Sequence, residues 1–231
     1  MVTVVTSTKR PQMIEWLIDN FSRQNVPEKE LIIVLNKNGI SLDKWKAANI
    51  RVYQMDEAKS LGECLNFGFM QARYDVIAKF DDDDYYSPNY LSNTLLLLKE
   101  TGASVIGKAS IFVYFKKDRL LTLFRPRMHN FFLGQKNVYL AGGTLVIKRE
   151  VLEKVKFRKL NRSEDIHFQK DCLEQKITLY SGGYQDYVLI RYEEKHGHSW
   201  KIHDKSFKKY CKKIAIVDEF EEYVWVKGEE H

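Results

Sequence analysis

The stretch Asp75-Val-Ile-Ala-Lys-Phe-Asp-Asp-Asp-Asp-Tyr-Tyr-Ser-Pro88 decides how the rest of the chain is read. Asp75 to Phe80 is a short, largely apolar run of the kind that forms a buried strand. Four carboxylates, Asp81 to Asp84, follow at its carboxyl end, where open α/β sheets bind their ligands. Adjacent carboxylates repel one another, and a cation relieves that cost. All-oxygen donors suit a hard divalent ion, Mg2+ or Mn2+. The alternative is a solvated acidic turn feeding a helix that starts at Ser87-Pro88, since acidic residues favour helix N-termini. Lys79 weighs against that alternative. A lysine in mid-strand is rarely buried unpaired, and Asp81 and Asp83 are its natural partners.

Outward from this stretch, strands and helices alternate. Val2 to Thr6, Glu30 to Leu35 and Ile50 to Gln54 read as strands. Met13, Trp16, Leu17, Asn20 and Phe21 recur at helical spacing. Ser60-Leu-Gly-Glu63 is a capping box for a second helix, and Gly102 stops the helix that begins at Ser87. This alternation predicts a parallel sheet with helices on its faces. Beyond Gly102, Ala103 to Phe115, Leu120 to Phe124, Val138 to Ile147, Ile177 to Tyr180 and Tyr184 to Tyr192 read mainly as strands. Arg149 to Val155 and Ser163 to Glu174 read as helices. A polar loop from Glu193 to Asp204 leads to a last amphipathic helix starting at Lys205. With no proline-rich or glycine-serine linker between the halves, one α/β domain is expected, its second half adding strands to the sheet.

Composition narrows the class. The chain has 231 residues, 44% of them hydrophobic and 29% charged, as in globular proteins and unlike collagenous or disordered chains. No apolar run approaches the roughly 18 residues of a membrane span, and Met1 to Pro11 lacks the pattern of a signal peptide. Cys64, Cys172 and Cys211 form no CxxC pair, so neither a disulfide framework nor a zinc site is expected, and the cytoplasm is the expected compartment. The net charge of +6 suits an anionic ligand; nucleic acid is not expected as a partner.

The strand followed by Phe80-Asp-Asp-Asp-Asp84 and Tyr85-Tyr-Ser-Pro-Asn-Tyr-Leu91 resembles the DxD region of the family 2 glycosyltransferases, which have the GT-A fold. The resemblance implies an α/β, Rossmann-like single domain with a mixed, mainly parallel central sheet. It makes Asp81 and Asp83 the DxD pair, Asp81 on the nucleotide and Asp83 on a divalent metal, with Asp82 or Asp84 taking a share. It places Thr6, Thr8 and Arg10, in the loop after the first strand, on the nucleotide and its phosphates; the alternative is that the threonines only cap the next helix. Asn36 stands where the family often has an acidic residue for the base or ribose, and Asn66 matches a recurring asparagine before the DxD strand. Lys59 and Lys79 join the nucleotide-sugar side.

The same resemblance assigns the acceptor side. Ala141-Gly142-Gly143-Thr144 matches the acceptor segment, where paired glycines let a backbone approach a ligand; a bulge within a strand is the alternative. Arg162-Ser-Glu164-Asp165 resembles the ED motif, whose aspartate is the general base of inverting members. Glu164 is placed beside the acceptor and Asp165 is the base; capping of the helix is the alternative. His196 and His198 share one side of an extended loop, and His198 is assigned to the metal or the diphosphate.

The expected reaction is metal-dependent, inverting transfer from a nucleoside-diphosphate sugar, first a UDP-sugar, to a hydroxyl acceptor such as a glycan or lipid-linked glycan of a bacterial surface polysaccharide. Residues 1–102 form the nucleotide-sugar half, 103–204 the acceptor half and 205–231 an amphipathic helix and tail. The lysines from Lys205 to Lys213 suggest contact with the inner face of an anionic membrane; the alternative is a helix packed on the domain with its lysines in solvent. Two other functions stay open: a non-catalytic nucleotide- or carbohydrate-binding protein, and a sugar-1-phosphate nucleotidyltransferase. The latter class carries a glycine-rich loop after the first strand, and Ser7-Thr-Lys-Arg-Pro11 has no glycine.

Overall fold

The computed structural model describes residues 1–134, 137–192 and 203–225. The first half runs β1 (Val2–Thr8), α1 (Ile14–Ser22), β2 (Lys29–Leu35), β3 (Ile50–Gln54), α2 (Leu61–Met70), β4 (Val76–Lys79), β5 (Tyr85–Tyr86) and α3 (Tyr90–Thr101). The second runs β6 (Val105–Gly107), β7 (Ile111–Phe115), β8 (Leu120–Phe124), β9 (Phe131–Phe132), β10 (Val146–Lys148), α4 (Arg149–Lys154), α5 (Glu164–Glu174), β11 (Leu179–Ser181), β12 (Tyr187–Arg191), α6 (Asp204–Lys208), β13 (Cys211–Ile216) and α7 (Glu221–Val224).

An eight-stranded sheet has the order β3-β2-β1-β4-β10-β6-β11-β9. The pairs among β3, β2, β1 and β4 are parallel, β10 runs antiparallel to both β4 and β6, and β11 returns parallel to β6. This is the mixed, mainly parallel α/β sheet expected. Strand β2 is buried on both faces: Leu31 and Ile33 enter the core with Leu17 and Phe21 of α1, whereas Ile32 and Val34 enter the other core with Leu65 and Phe69 of α2. Helix α2 starts on its capping box. The Glu63 backbone N–H donates to Ser60 Oγ, and the Ser60 N–H donates to Glu63, pulling that carboxyl down to about 2.

Four expectations change. The second half does not simply extend this sheet: β5, β7, β8, β12 and β13 form a second, five-stranded sheet in the order β13-β8-β7-β12-β5. Val138 to Ile147 is strand only from Val146, because Gly142–Thr144 makes a 3-10 turn held by the Thr144 N–H on Ala141 O. Helix α3 begins at Tyr90 with Asn89 at its cap; Ser87 stands before it, its hydroxyl donating to Asp186 at 2.6 Å and accepting the Asn89 N–H at 3.3 Å. The last amphipathic helix is five residues long and gives way to β13, whose backbone pairs antiparallel with β8 along Cys211 to Ile216. Burying the open edge of β8 outweighs local helical spacing there. Among the described residues, no helix is long and apolar enough to cross a membrane.

Candidate active site

The acidic run lies just beyond the carboxyl end of β4, as its position after an apolar strand requires. The Phe80 N–H donates to Val5 O, and the Asp81 N–H is received by the Tyr86 hydroxyl at 2.8 Å. That hydroxyl donates in turn to Gly143 O at 2.7 Å, and the Tyr86 ring stacks on Phe80 with centroids 3.7 Å apart. The run is thus clamped between β1 and the Gly142–Thr144 turn.

Its four carboxylates face different partners. Asp82 receives Arg10 through two guanidinium nitrogens and also the Thr8 hydroxyl. Arg10 Nη1 donates to Asp83 at 2.8 Å. Burial and the neighbouring Asp83 raise the Asp82 carboxyl, against the pull of Arg10. Arg10 is itself opposed by burial, which Asp82 and Asp83 outweigh, so its pKa is raised. Asp84 is the most enclosed: it accepts from the Tyr187 hydroxyl at 2.5 Å and the Ile190 N–H at 3.2 Å, and burial with Asp83 and Asp81 nearby pushes it well above the carboxylate range. The Asp84 carbonyl takes Trp16 Nε1 and Asn20 Nδ2, which fixes α1 to the run.

Asp81 faces the other way, into a cleft of about 350 Å³ lined also by Lys79, Gly142, Gly143, Glu164 and Asp165. The buried Lys79 forms an ion pair with Asp81, whose side chain is partly exposed. Burial works against its charge, but Asp81, Glu164 and Asp165 together hold it above the ordinary lysine value. Glu164 and Asp165 open α5. Burial raises Glu164 to about 7, with Lys79 opposing and Asp165 adding repulsion. Burial also raises Asp165, again against Lys79. Both glycines are needed for approach. A Cβ at position 142 would stand 2.6 Å from Asp165 Oδ2, and one at 143 would stand 2.9 Å from Asp81 Oδ2.

The expected site residues therefore fall into two joined groups. Thr8, Arg10, Asp82 and Asp83 meet on one side of the run; Lys79, Asp81, Gly142, Gly143, Glu164 and Asp165 meet in the cleft on the other. Thr8 does not cap α1, whose cap is Met13; its oxygen instead accepts the Arg10 N–H at 2.8 Å. Thr6 is fully buried, and its Oγ1 has no hydrogen-bond partner among the described residues. Asn36 is buried, with Nδ2 on the Asp56 carbonyl at 2.5 Å. Ser163 makes no capping bond and takes a left-handed φ of 57°.

Two expected nucleotide contacts are not brought to the acidic run. Asn66 exchanges two hydrogen bonds with the Phe157 backbone, at 2.8 and 3.0 Å, and braces α2 against the segment after α4. Lys59 is exposed and pairs with Glu63 at 3.4 Å. His196 and His198 lie outside the described residues. Sequence reading missed Tyr86 and Tyr187, which hold Gly143 and Asp84, and Arg125, Tyr139 and Arg162, which line the cleft. The Tyr85-Tyr86 pair directly after the run was the available signal for the first of these.

Asp82, Asp83 and Asp84 offer only carboxylate oxygens as ligands, Asp83 beside the Arg10 guanidinium, and the carboxyls of Asp82 and Asp84 are raised by burial and repulsion. Such an excess of negative charge fits a hard divalent cation. Among the described residues, no cluster of three or more His, Cys, Asp and Glu side chains is arranged to hold a metal by protein ligands alone.

Residues 2–156 match the family model described as glycosyl transferase family 2. No curated protein matches the chain in sequence. Among solved structures, S. aureus TarS 1–349 in complex with UDP-GlcNAc is similar with a TM-score of 0.68 and 19% identity, over 90% of this chain and 64% of that one. The mannosyltransferase PcManGT from Pyrobaculum calidifontis, in complex with GDP-Man and Mn2+, is similar with a TM-score of 0.61 and 16% identity, over 85% of this chain and 58% of that one. This chain thus spans less than two thirds of the length of either solved chain, and at these identities the likeness is one of fold.

Proposed function

Because the chain belongs to glycosyl transferase family 2, we propose that it moves a sugar, with inversion, from a nucleoside-diphosphate sugar to an acceptor hydroxyl. The observation that carries this reading is the convergence of Lys79, Asp81, Glu164, Asp165 and the two glycines on one cleft at the carboxyl end of β4. Residues 1–102 supply the nucleotide-sugar half, 103–204 the acceptor half and 205–231 the tail.

In this reading Asp165 takes the proton of the acceptor hydroxyl as its oxygen attacks the anomeric carbon and the bond from that carbon to the diphosphate breaks. A carboxylate whose basicity is raised by burial and which is fixed at the start of a helix suits that task. Lys79 sets a positive charge beside Asp165 and Asp81 and so offsets part of the cost of burying the Asp165 carboxylate. Arg10, which donates to Asp83 in the free protein, would turn to the diphosphate when the donor binds. Asp83, with His198, would hold Mn2+ or Mg2+, which supplies charge neutralisation at the leaving diphosphate. The ligands of the two solved neighbours support a UDP- or GDP-linked donor, and UDP is the first to test.

Asp165→Asn tests the reading. Nucleotide-sugar binding should persist while transfer falls by roughly 10²–10⁴-fold. Unchanged transfer removes Asp165 as base, and a wild type that binds nucleotide sugar without transferring it supports the binding-protein alternative.

The tail favours one further contact. Tyr210, Ile214 and Ile216 are exposed beside Lys209, Lys212 and Lys213. This mixed apolar and basic surface supports peripheral contact with an anionic membrane, where a lipid-linked acceptor would lie. Liposome co-sedimentation that survives charge reversal at these lysines removes that contact.

A further inference from the structure

Arginines in this protein are mostly committed. Of the eleven in the chain, Arg10, Arg23, Arg51, Arg73, Arg119, Arg149, Arg158 and Arg191 form ion pairs with carboxylates. Arg125, Arg127 and Arg162 form none among the described residues, and two of these three, Arg125 and Arg162, line the cleft that holds Asp165. They reach it from separate elements. Arg125 follows β8, and Arg162 precedes α5.

Arg125 is not a freely solvated side chain. Its backbone takes a left-handed φ of 49°, the Met128 N–H closes a turn on its carbonyl at 2.9 Å, and its guanidinium lies 4.7 Å from the centre of the Phe124 ring. Partial burial lowers its pKa with no acid to offset it. A guanidinium that stays partly exposed and gains no carboxylate has unused donors in a fork that matches carboxylate or phosphate.

We infer that Arg125 and Arg162 form an anion-recognition site on the acceptor side of the cleft, so that the acceptor carries a phosphate or carboxylate group near the hydroxyl that is glycosylated. This rests on the proposed transfer function for the identity of the cleft. The donor diphosphate is the other source of such an anion. Two observations favour the acceptor: Arg10, the guanidinium proposed for the diphosphate, holds Asp82 and Asp83 on the opposite side of the run, and neither of these carboxylates lines the cleft.

The test titrates wild type and the R125Q/R162Q double variant, each in the presence of UDP and Mn2+, with glucose 6-phosphate, glucuronate and glucose. Both arginines are exposed, so the variant should fold; a thermal melt checks this. Wild type should bind at least one charged sugar ten or more times more tightly than glucose. The variant should bind all three alike, and added salt should reduce the wild-type preference. Equal binding of the three sugars by wild type, no binding of either charged sugar, or a preference retained in the variant overturns the inference. A fall in UDP affinity in the variant overturns it too, by assigning the arginines to the donor. Failure of the transfer function shows separately, as wild type that neither binds UDP-sugar nor releases UDP, because the sugar titration requires no turnover.

Discussion

Gly142 and Asp165 are in such close contact that a Cβ on the glycine would stand 2.6 Å from Asp165 Oδ2. The nearest obstacles, Oδ2, Cγ and Cβ of Asp165, belong to one side chain, so Gly142→Ala can fold by displacing Asp165. A displacement of about 1 Å at a reacting group costs on the order of 10²-fold in rate. Gly142→Ala should therefore lower transfer by roughly that factor while nucleotide affinity stays at the wild-type value. Full activity in this variant would show that the Asp165 position is not critical.

Glu164 gives a stability prediction with a definite sign. Its carboxyl is raised to about 7 in the folded protein, from an ordinary 4.5, chiefly by burial. The folded state therefore holds more protons than the unfolded one between these values. Its stability is highest, as far as this group is concerned, below 4.5 and is lost as pH rises through 7. Glu164→Gln removes the titration. The variant should gain little at pH 5 and be more stable by about 3 kcal/mol at pH 8.5, from roughly 1.4 kcal/mol per pKa unit. Thermal melts across that range check it; a difference between the proteins that does not widen with pH would rule out the assignment.

Asn66 separates bracing from binding. Its amide satisfies both backbone groups of the buried Phe157. Asn66→Ala leaves a buried donor and acceptor unpaired, each costing about 1–3 kcal/mol. The melting temperature should fall by several degrees, with nucleotide affinity unchanged in the protein that remains folded. A selective loss of nucleotide binding at unchanged stability would return Asn66 to the donor site.

These residues show which parts of the site the sequence could reveal. The capping box at Ser60 and Glu63, the doubly buried β2 and the place of Asp81 beyond β4 each follow from local pattern, and the structure has all three. What local pattern could not show is pairing over distance. Ser87 donates its hydroxyl to Asp186, 99 residues away, a tie that no local pattern shows. The basic segment after Asp204 has helical spacing, but the open edge of β8 draws Cys211 to Ile216 into a strand. Asn66 sits in a family-like motif, yet the backbone of Phe157, 91 residues on, takes both of its hydrogen bonds. The direction in which each carboxylate of the run faces is likewise decided by partners remote in sequence: Arg10 for Asp82 and Asp83, Gly143 for Asp81, and Tyr187 for Asp84.

The separation of Asp83 from the cleft leads to a prediction about the donor. Arg10 neutralises Asp83 in the free protein, at 2.8 Å, so a divalent ion must compete with that guanidinium for the carboxylate. A nucleoside diphosphate supplies a second anion for Arg10, and metal and nucleotide should then bind more tightly together than either does alone. Melting temperatures with UDP, GDP or dTDP, each with and without Mn2+, read this directly. A ligand at about 100 times its dissociation constant adds roughly 2.7 kcal/mol, or about 5–11 °C for a domain of this size. One nucleotide should give a shift that needs Mn2+ and is lost in Asp83→Ala. In Arg10→Ala, Mn2+ alone should produce a larger shift than in wild type, because its competitor is gone, while the added effect of the nucleotide shrinks. Equal shifts with and without Mn2+ would mean that the diphosphate is held by protein groups alone and that Asp83 is not a metal ligand.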